Sequence, residues 1–184
     1  RVVIFTALGG SWIESARLEP SVPLGGGYFG SSLGLDSTAR VLVVGAPGRN
    51  SPATPPYVYV YRRIGASWVE EARIPDPQGQ GAEHGFGWPV AIDGAGDTIV
   101  VGSPCRTGPN PNDSCFGAVF VYEYDGVAWL RQPMIRGSDT ATGHQFGFGI
   151  SINAAGDRLV VGAIHATDAL GTVSGAVYIF DRVG

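Results

Sequence analysis

Along this chain apolar and polar positions alternate in short bursts, never with the 3.6-residue period of a helix. Tyr57-Val58-Tyr59-Val60-Tyr61, Ala118-Val119-Phe120-Val121-Tyr122 and Ala176-Val177-Tyr178-Ile179-Phe180 have the length and the β-branched and aromatic content of strands, and Val2-Val3-Ile4-Phe5 opens the chain the same way. Seven residues after the last aromatic of three of these comes a tryptophan, giving the pairs Phe5 and Trp12, Tyr61 and Trp68, Tyr122 and Trp129. The turn signals Leu8-Gly9-Gly10, Ile64-Gly65-Ala66 and Asp125-Gly126-Val127 lie between, so each pair predicts a hairpin.

Two further elements recur. Phe29-Gly30, Phe86-Gly87 and Phe146-Gly147 are separated by 57 and 60 residues, and Val43-Val44-Gly45, Val100-Val101-Gly102 and Val160-Val161-Gly162 repeat the same 57 and 60. Independent features at one spacing mark an internal repeat. Each repeat is four short strands in the order Phe-Gly strand, Val-Val-Gly strand, aromatic strand and Trp strand. Four-stranded antiparallel units of this period, none able to bury both faces alone, predict an all-β fold of β-propeller blades. The division expected is one propeller segment over residues 1–184. Within it, 1–20 supply the last two strands of a preceding blade, 21–76 and 77–136 are whole blades, and 137–184 are the first three strands of another. About three blades leave a ring incomplete. Further blades in a longer propeller, or strands from neighbouring copies, are the two ways of completing it.

The Phe-Gly pairs and Gly45-Ala46-Pro47 resemble the FG-GAP repeat of integrin α-subunit propellers and of secreted relatives, including a propeller lectin. The resemblance implies the propeller fold. Repetition within the chain itself reads Phe29, Phe86, Phe146, Trp12, Trp68 and Trp129 as core residues packing between blades, while Trp88 and Phe148, on the innermost strand just past the Phe-Gly pairs, are expected to face the central channel.

Composition narrows the function. Of 184 residues 44% are hydrophobic and 15% charged, the formal net charge is −4, and all 12 basic residues are arginine. No basic cluster is present to track a phosphate backbone, so nucleic acid is not an expected partner. No apolar run reaches the length of a membrane span, and no charged-then-apolar leader opens the chain, so any secretion signal lies outside it or has been removed. Cys105 and Cys115 flank one Pro/Asn/Gly loop; a disulfide is favoured over a metal pair because no further zinc-type ligand accompanies them. That points to an oxidising, extracellular setting. Asn112-Asp113-Ser114 in the same loop is a glycosylation sequon.

The connections between strands two and three, and from strand four to the next blade, are long and differ between repeats. They share one face, which is the candidate binding surface. Its candidate ligand-binding residues are His84, His144, His165, Asp76, Asp139 and Trp88. The histidines could bind metal or titrate near neutral pH, against ordinary loop hydrogen bonds; Glu83 adjoins His84. Asp76, Asp139 and Asp168 are the acids from which a glycoside-cleaving pair could be drawn, against loop capping. On the other face, the turns at Asp36, Asp93 and Asn153 stand where the family holds calcium. They carry one or two acids each, too few for a full oxygen shell. Asp93 with Asp97 is the remaining metal candidate, against Asx-type turn stabilisation; no cofactor is otherwise expected. Gly30-Ser31-Ser32-Leu33-Gly34 lacks the strand-to-helix elbow of a hydrolase nucleophile, and Gly25-Gly26-Gly27 precedes no helix that could hold a phosphate. The function these features favour is a non-enzymatic extracellular binding or adhesion module that recognises a protein or glycan through the loop face. A structural subunit completed by neighbouring chains is the alternative, and a polysaccharide-active enzyme on a propeller scaffold the weaker one.

Overall fold

The computed structural model describes residues 1–22, 27–48, 55–77, 79, 84–110, 112 and 114–182. Within these the chain is a series of antiparallel sheets. Strands β1 (Val2–Leu8) and β2 (Ser11–Leu18) pair in the first sheet. Strands β3 (Ser32–Leu35), β4 (Val41–Ala46), β5 (Tyr57–Ile64) and β6 (Ser67–Pro75) form the second. The third holds β7 (Val90–Ile92), β8 (Thr98–Ser103), β9 (Ala118–Tyr124) and β10 (Trp129–Arg131), and the fourth β11 (Phe146–Ile152), β12 (Arg158–Ala163) and β13 (Ala176–Asp181). No α-helix occurs among the described residues. Each sheet is an open meander of consecutive strands, the architecture of propeller blades in a segment that does not close.

The alternation in the strands is two-sided, and this stacks the sheets. Val41, Val43, Val58 and Val60 of the second sheet pack on Val90, Ile92, Ile99, Val101 and Phe120 of the third. Their neighbours Leu42, Val44, Tyr59 and Tyr61 turn the other way, onto Val2 and Leu18 of the first sheet. Val100 and Val119 of the third sheet meet Phe146, Leu159 and Val161 of the fourth. A strand buried on both faces needs a near-continuous apolar run, which β4 has throughout and β8 has between the polar Thr98 and Ser103 at its ends.

The repeated Phe ring is edge-on to the same partner in every blade: Phe29 with Tyr59 at 5.3 Å, Phe86 with Phe120 at 5.6 Å and Phe146 with Tyr178 at 5.2 Å. The glycine after it has φ of 92°, 88° and 90° at Gly30, Gly87 and Gly147, a conformation that side chains resist. That turn brings a carbonyl against the preceding blade. A Cβ on Gly45 would lie 2.1 Å from the Gly87 oxygen, and one on Gly102 would lie 2.3 Å from the Gly147 oxygen. Gly45 and Gly102 of the first two Val-Val-Gly strands are therefore the seats for the next blade's Phe-Gly turn.

Two expectations change. The Phe-Gly pairs at 29–30 and 86–87 lie in turns before β3 and β7, and only Phe146-Gly147 falls inside a strand. Trp12 is not core: it is 73% exposed, whereas Trp68 and Trp129 pack on the sheet before their own. The tryptophan reaches back to a preceding sheet, and the first sheet has none among the described residues.

Candidate functional site

Hydrogen bonds define the two ends of the stack. At one end the residues leading into each Phe-Gly turn hold the connection between strands two and three. Gly48 donates to the Gly27 carbonyl at 3.1 Å, Cys105 to that of His84 at 3.2 Å and His165 to that of His144 at 3.3 Å. At the other end the turn between strands one and two is tied to strand three or its exit. Arg63 donates to Arg40 at 2.7 Å, Tyr124 to Asp97 at 2.8 Å and Arg182 to Asp157 at 2.8 Å. The first end is the loop face and the second the turn face.

On the turn face the polar side chains serve the backbone. Asp36 Oδ1 accepts from the amides of Arg40 and Val41, both at 2.7 Å. Asp93 Oδ1 accepts from Gly96, Asp97 and Thr98 at 2.9, 3.1 and 3.2 Å, and Asn153 Oδ1 accepts from Asp157 and Arg158 at 3.1 and 3.0 Å. These are Asx-type turns built alike in three blades. Neighbouring turns are linked as well: Ser37 Oγ donates to the Gly94 carbonyl at 2.6 Å, and Gly94 donates to that of Ala154 at 3.1 Å. Burial pushes the Asp36 carboxyl up, but hydrogen bonds from Thr38, Val41 and Arg40 outweigh it and leave the group below its ordinary value. Asp97 moves upward, through desolvation and then the hydrogen bond and charge of Asp93. The metal candidates Asp93 and Asp97 are thus adjacent. No group of three or more potential metal-ligating side chains occurs among the described residues.

The loop face is built differently from blade to blade. Cys105 and Cys115 form a disulfide that closes the loop after β8. Arg106, beside it, is wholly buried, pairs with Asp76 at 2.6 Å and lies 5.2 Å over the Phe120 ring. Asp76 follows β6 and Arg106 follows β8, so the pair clamps the loops of two blades together. A buried pair of this kind fixes geometry more than it adds stability.

The histidines do not converge. The His84 Nδ1 lies 2.9 Å from the Cys105 carbonyl, and the buried His144 accepts at Nδ1 from the Ala141 amide at 3.2 Å. His165 is exposed on the next loop. The acids are also apart in role. Asp76 is clamped, Asp139 accepts from the Tyr178 hydroxyl at 2.6 Å, and Asp168 accepts from the amides of Leu170 and Thr172, both at 2.9 Å. Desolvation and then the Asp139 hydrogen bond push the Tyr178 phenol up to about 12. Asn112 is exposed in the disulfide loop; Asp113 of its sequon, Glu83, and Gly25 and Gly26 lie outside the described residues.

Beside the exposed Leu170 and Val173, the loop face leaves three aromatic rings part-exposed. The turn entering each first strand closes by one hydrogen bond: Ser31 to the Tyr28 carbonyl, Trp88 to Gly85 and Phe148 to Gln145. Each such turn carries one exposed ring, and Tyr28, Trp88 and Phe148 are 50%, 51% and 40% accessible. Tyr28 and Gln145 hold φ at 56° where the middle blade uses Gly85, a conformation costing a non-glycine residue about 1–3 kcal/mol. The channel-side placement expected of Trp88 and Phe148 singled out two of the three rings. Tyr28 gave no signal, because it precedes the repeated pair. Arg106 gave none either, since an arginine among prolines and asparagines reads as solvated.

The FG-GAP repeat model matches residues 68–122 and 129–180. The chain belongs to the FG-GAP repeat family. Each matched stretch of this FG-GAP protein runs from the Trp strand of one sheet through three strands of the next, from Trp68 to Tyr122 and from Trp129 to Phe180. The family unit therefore straddles the interface between two blades. A comparison with curated proteins finds no match.

Proposed function

We propose that the chain is a non-enzymatic extracellular recognition module that holds a protein or glycan partner against its loop face. The observation that carries this is the row of Tyr28, Trp88 and Phe148, exposed on equivalent turns of three successive blades. Exposed rings on a rigid frame offer contact area at little entropic cost. The Cys105–Cys115 disulfide and the buried Arg106–Asp76 pair stiffen the loops beside them, and the disulfide supports an extracellular location. His84, His165 and Gln145 lie on the same loop face and supply polar contacts in this reading. The candidate acids are engaged in loop hydrogen bonds or the clamp, so catalysis is not part of the proposal, nor is a cofactor. Calcium chloride should leave the melting temperature unchanged.

The test is binding to a printed panel of glycans and extracellular-matrix proteins. Trp88→Ala with Phe148→Ala should remove the signal while the fold, followed by circular dichroism, is retained. Retention of every signal by that variant would overturn the reading.

A second reading, an assembly subunit, is favoured by the outward face of the fourth sheet. There Val177 and Ile179 are 70% and 64% exposed, while their counterparts Val58 and Val60 are wholly buried by a following sheet. Further blades, from the same polypeptide or another copy, fit that face. A mass above one chain by light scattering, falling to one chain in Val177→Ser with Ile179→Ser, would support copies as the source.

A further inference from the structure

Two interfaces between sheets are closed by a tryptophan, and the third is not. Trp68 and Trp129 stand on the last strands of the second and third sheets and lean back on the sheet before. Trp129 packs against the cluster of Val43, Val60, Ile92 and Ile99, lies 5.2 Å from the Tyr124 ring and donates its indole N–H to Glu71 at 3.0 Å. In the interface that Trp129 closes, Val60, Ile92 and Tyr122 are buried. Between the third and fourth sheets their equivalents are Val121, Ile152 and Phe180, and all three are half-buried. With Val100, Ile135 and Leu159 they line a cavity of about 370 Å3. The groove at the same edge of the preceding interface is lined by Trp129 itself and reaches none of Val43, Val60, Ile92 and Ile99. The difference is one indole.

Beside this cavity runs an open sheet edge. In the second and third sheets β5 and β9 pair on their outer edge with β6 and β10, whereas β13 ends the order β11-β12-β13 among the described residues. The pairing on that edge has the same register twice. Trp68 stands opposite Arg63 with Ile74 opposite Val58, and Trp129 stands opposite Tyr124 with Ile135 opposite Val119. The tryptophan and the aliphatic residue are six positions apart in both. On β13 and its exit the matching places are Val177, which is 70% exposed, and Arg182, which lines the cavity. Gln132 takes the position of Glu71. Its amide donates to Glu123 at 3.0 Å, which leaves its carbonyl oxygen to accept from an indole.

The same spacing occurs once more, at Trp12 and Leu18. Leu18, however, is buried against the second sheet, and β2 is paired along its length with β1. A second copy could offer that strand only by dismantling its own first sheet.

We propose that the outer edge of β13 and the cavity behind it accept an extended segment of a partner protein, antiparallel to β13, with a tryptophan opposite Arg182 and an aliphatic residue six positions on, opposite Val177. In strand addition the main-chain hydrogen bonds give affinity and the pockets for alternate side chains give specificity. Here the indole is the selective group. This goes beyond both readings above, since the surface is not the loop face and the occupant is neither a glycan nor another copy.

The test is fluorescence anisotropy of a labelled synthetic peptide with the sequence of residues 65–75, titrated with the whole chain. Saturable binding is expected. The Trp68→Ala form of the peptide should bind about a hundred-fold more weakly, as loss of a buried indole implies, and the Ile74→Ser form about ten-fold. Gln132→Leu in the chain, shown to be folded by circular dichroism, should cost about five-fold through the lost acceptor. Trp88→Ala with Phe148→Ala should leave peptide binding unchanged, which separates this site from the recognition role. No binding, equal binding of the Trp68→Ala peptide, or full affinity in Gln132→Leu would each overturn the proposal. Self-association of the native chain that the peptide competes away would make a second copy the occupant and overturn the partner.

Discussion

The two ends of the stacked sheets use polar residues in opposite ways. On the turn face Asp36, Asp93 and Asn153 spend their side chains on the amides of their own turns, and the turns are alike in every blade. On the loop face the corresponding connections share little beyond one hydrogen bond into the Phe-Gly turn. One holds a disulfide, one a hairpin closed by Asp168, and Tyr28, Trp88 and Phe148 are about half exposed. Where side chains are consumed by the backbone, a face is structural. A face held by the scaffold beneath it keeps its side chains for something else.

The largest expected effect lies in the clamp under the loop face. Arg106→Met or Asp76→Asn alone leaves a buried partner uncompensated and should cost about 3–5 kcal/mol, or roughly 6–20 °C in melting temperature for a chain of this size. Asp76→Leu combined with Arg106→Met should recover most of it, which a double-mutant cycle by thermal denaturation measures. If the single substitutions are silent, the loop face is not fixed from below as described.

Reduction of Cys105–Cys115 comes next, at about 2–3 kcal/mol for a loop of this length. Exchange of the 105–115 amides should rise with added reductant while the turn at Asp93 is unmoved. Parallel loss at both ends would mean that the faces are one cooperative unit.

Asp93→Ala should cost about 1–3 kcal/mol, because three amides lose their acceptor, and Asp93→Asn less than about 1, because the oxygen remains. A larger loss in Asp93→Asn would show that charge and not the turn is what matters there.

Much of the scaffold was legible in the sequence, and for a definite reason. Phe86, Val100 and Val119 repeat because each blade must meet the next in the same geometry, so packing is written at a fixed spacing. The exposed Trp12 belongs to the same pattern; the repeat gives its strand but not whether a sheet precedes it. The Cys105–Cys115 bond was readable from loop composition. The Arg106–Asp76 pair joins two loops that differ in every blade, and Tyr122 differs from Tyr61 only through what surrounds its hydroxyl. Neither leaves a periodic trace, so the buried polar groups that differ from blade to blade were the least visible.

The smallest expected effect is on pH dependence. The Asp36 carboxyl titrates below its unfolded value. Its contribution is therefore complete above that value and is lost as pH falls through the folded one. The melting-temperature gap between the native chain and Asp36→Asn should narrow on acidification, and a widening gap would reverse the assignment.

The recognition role of the loop face is tested most directly by comparing one variant from each end. Trp88→Ala with Phe148→Ala removes rings from the loop face, and Ile64→Ser removes an exposed apolar residue, 63% accessible, from the turn face. On the same printed glycan and matrix-protein panel, the account predicts loss of binding in the first and full binding in the second, with both melting as the native chain does. Binding that survives the loop-face change and disappears with Ile64→Ser would contradict it.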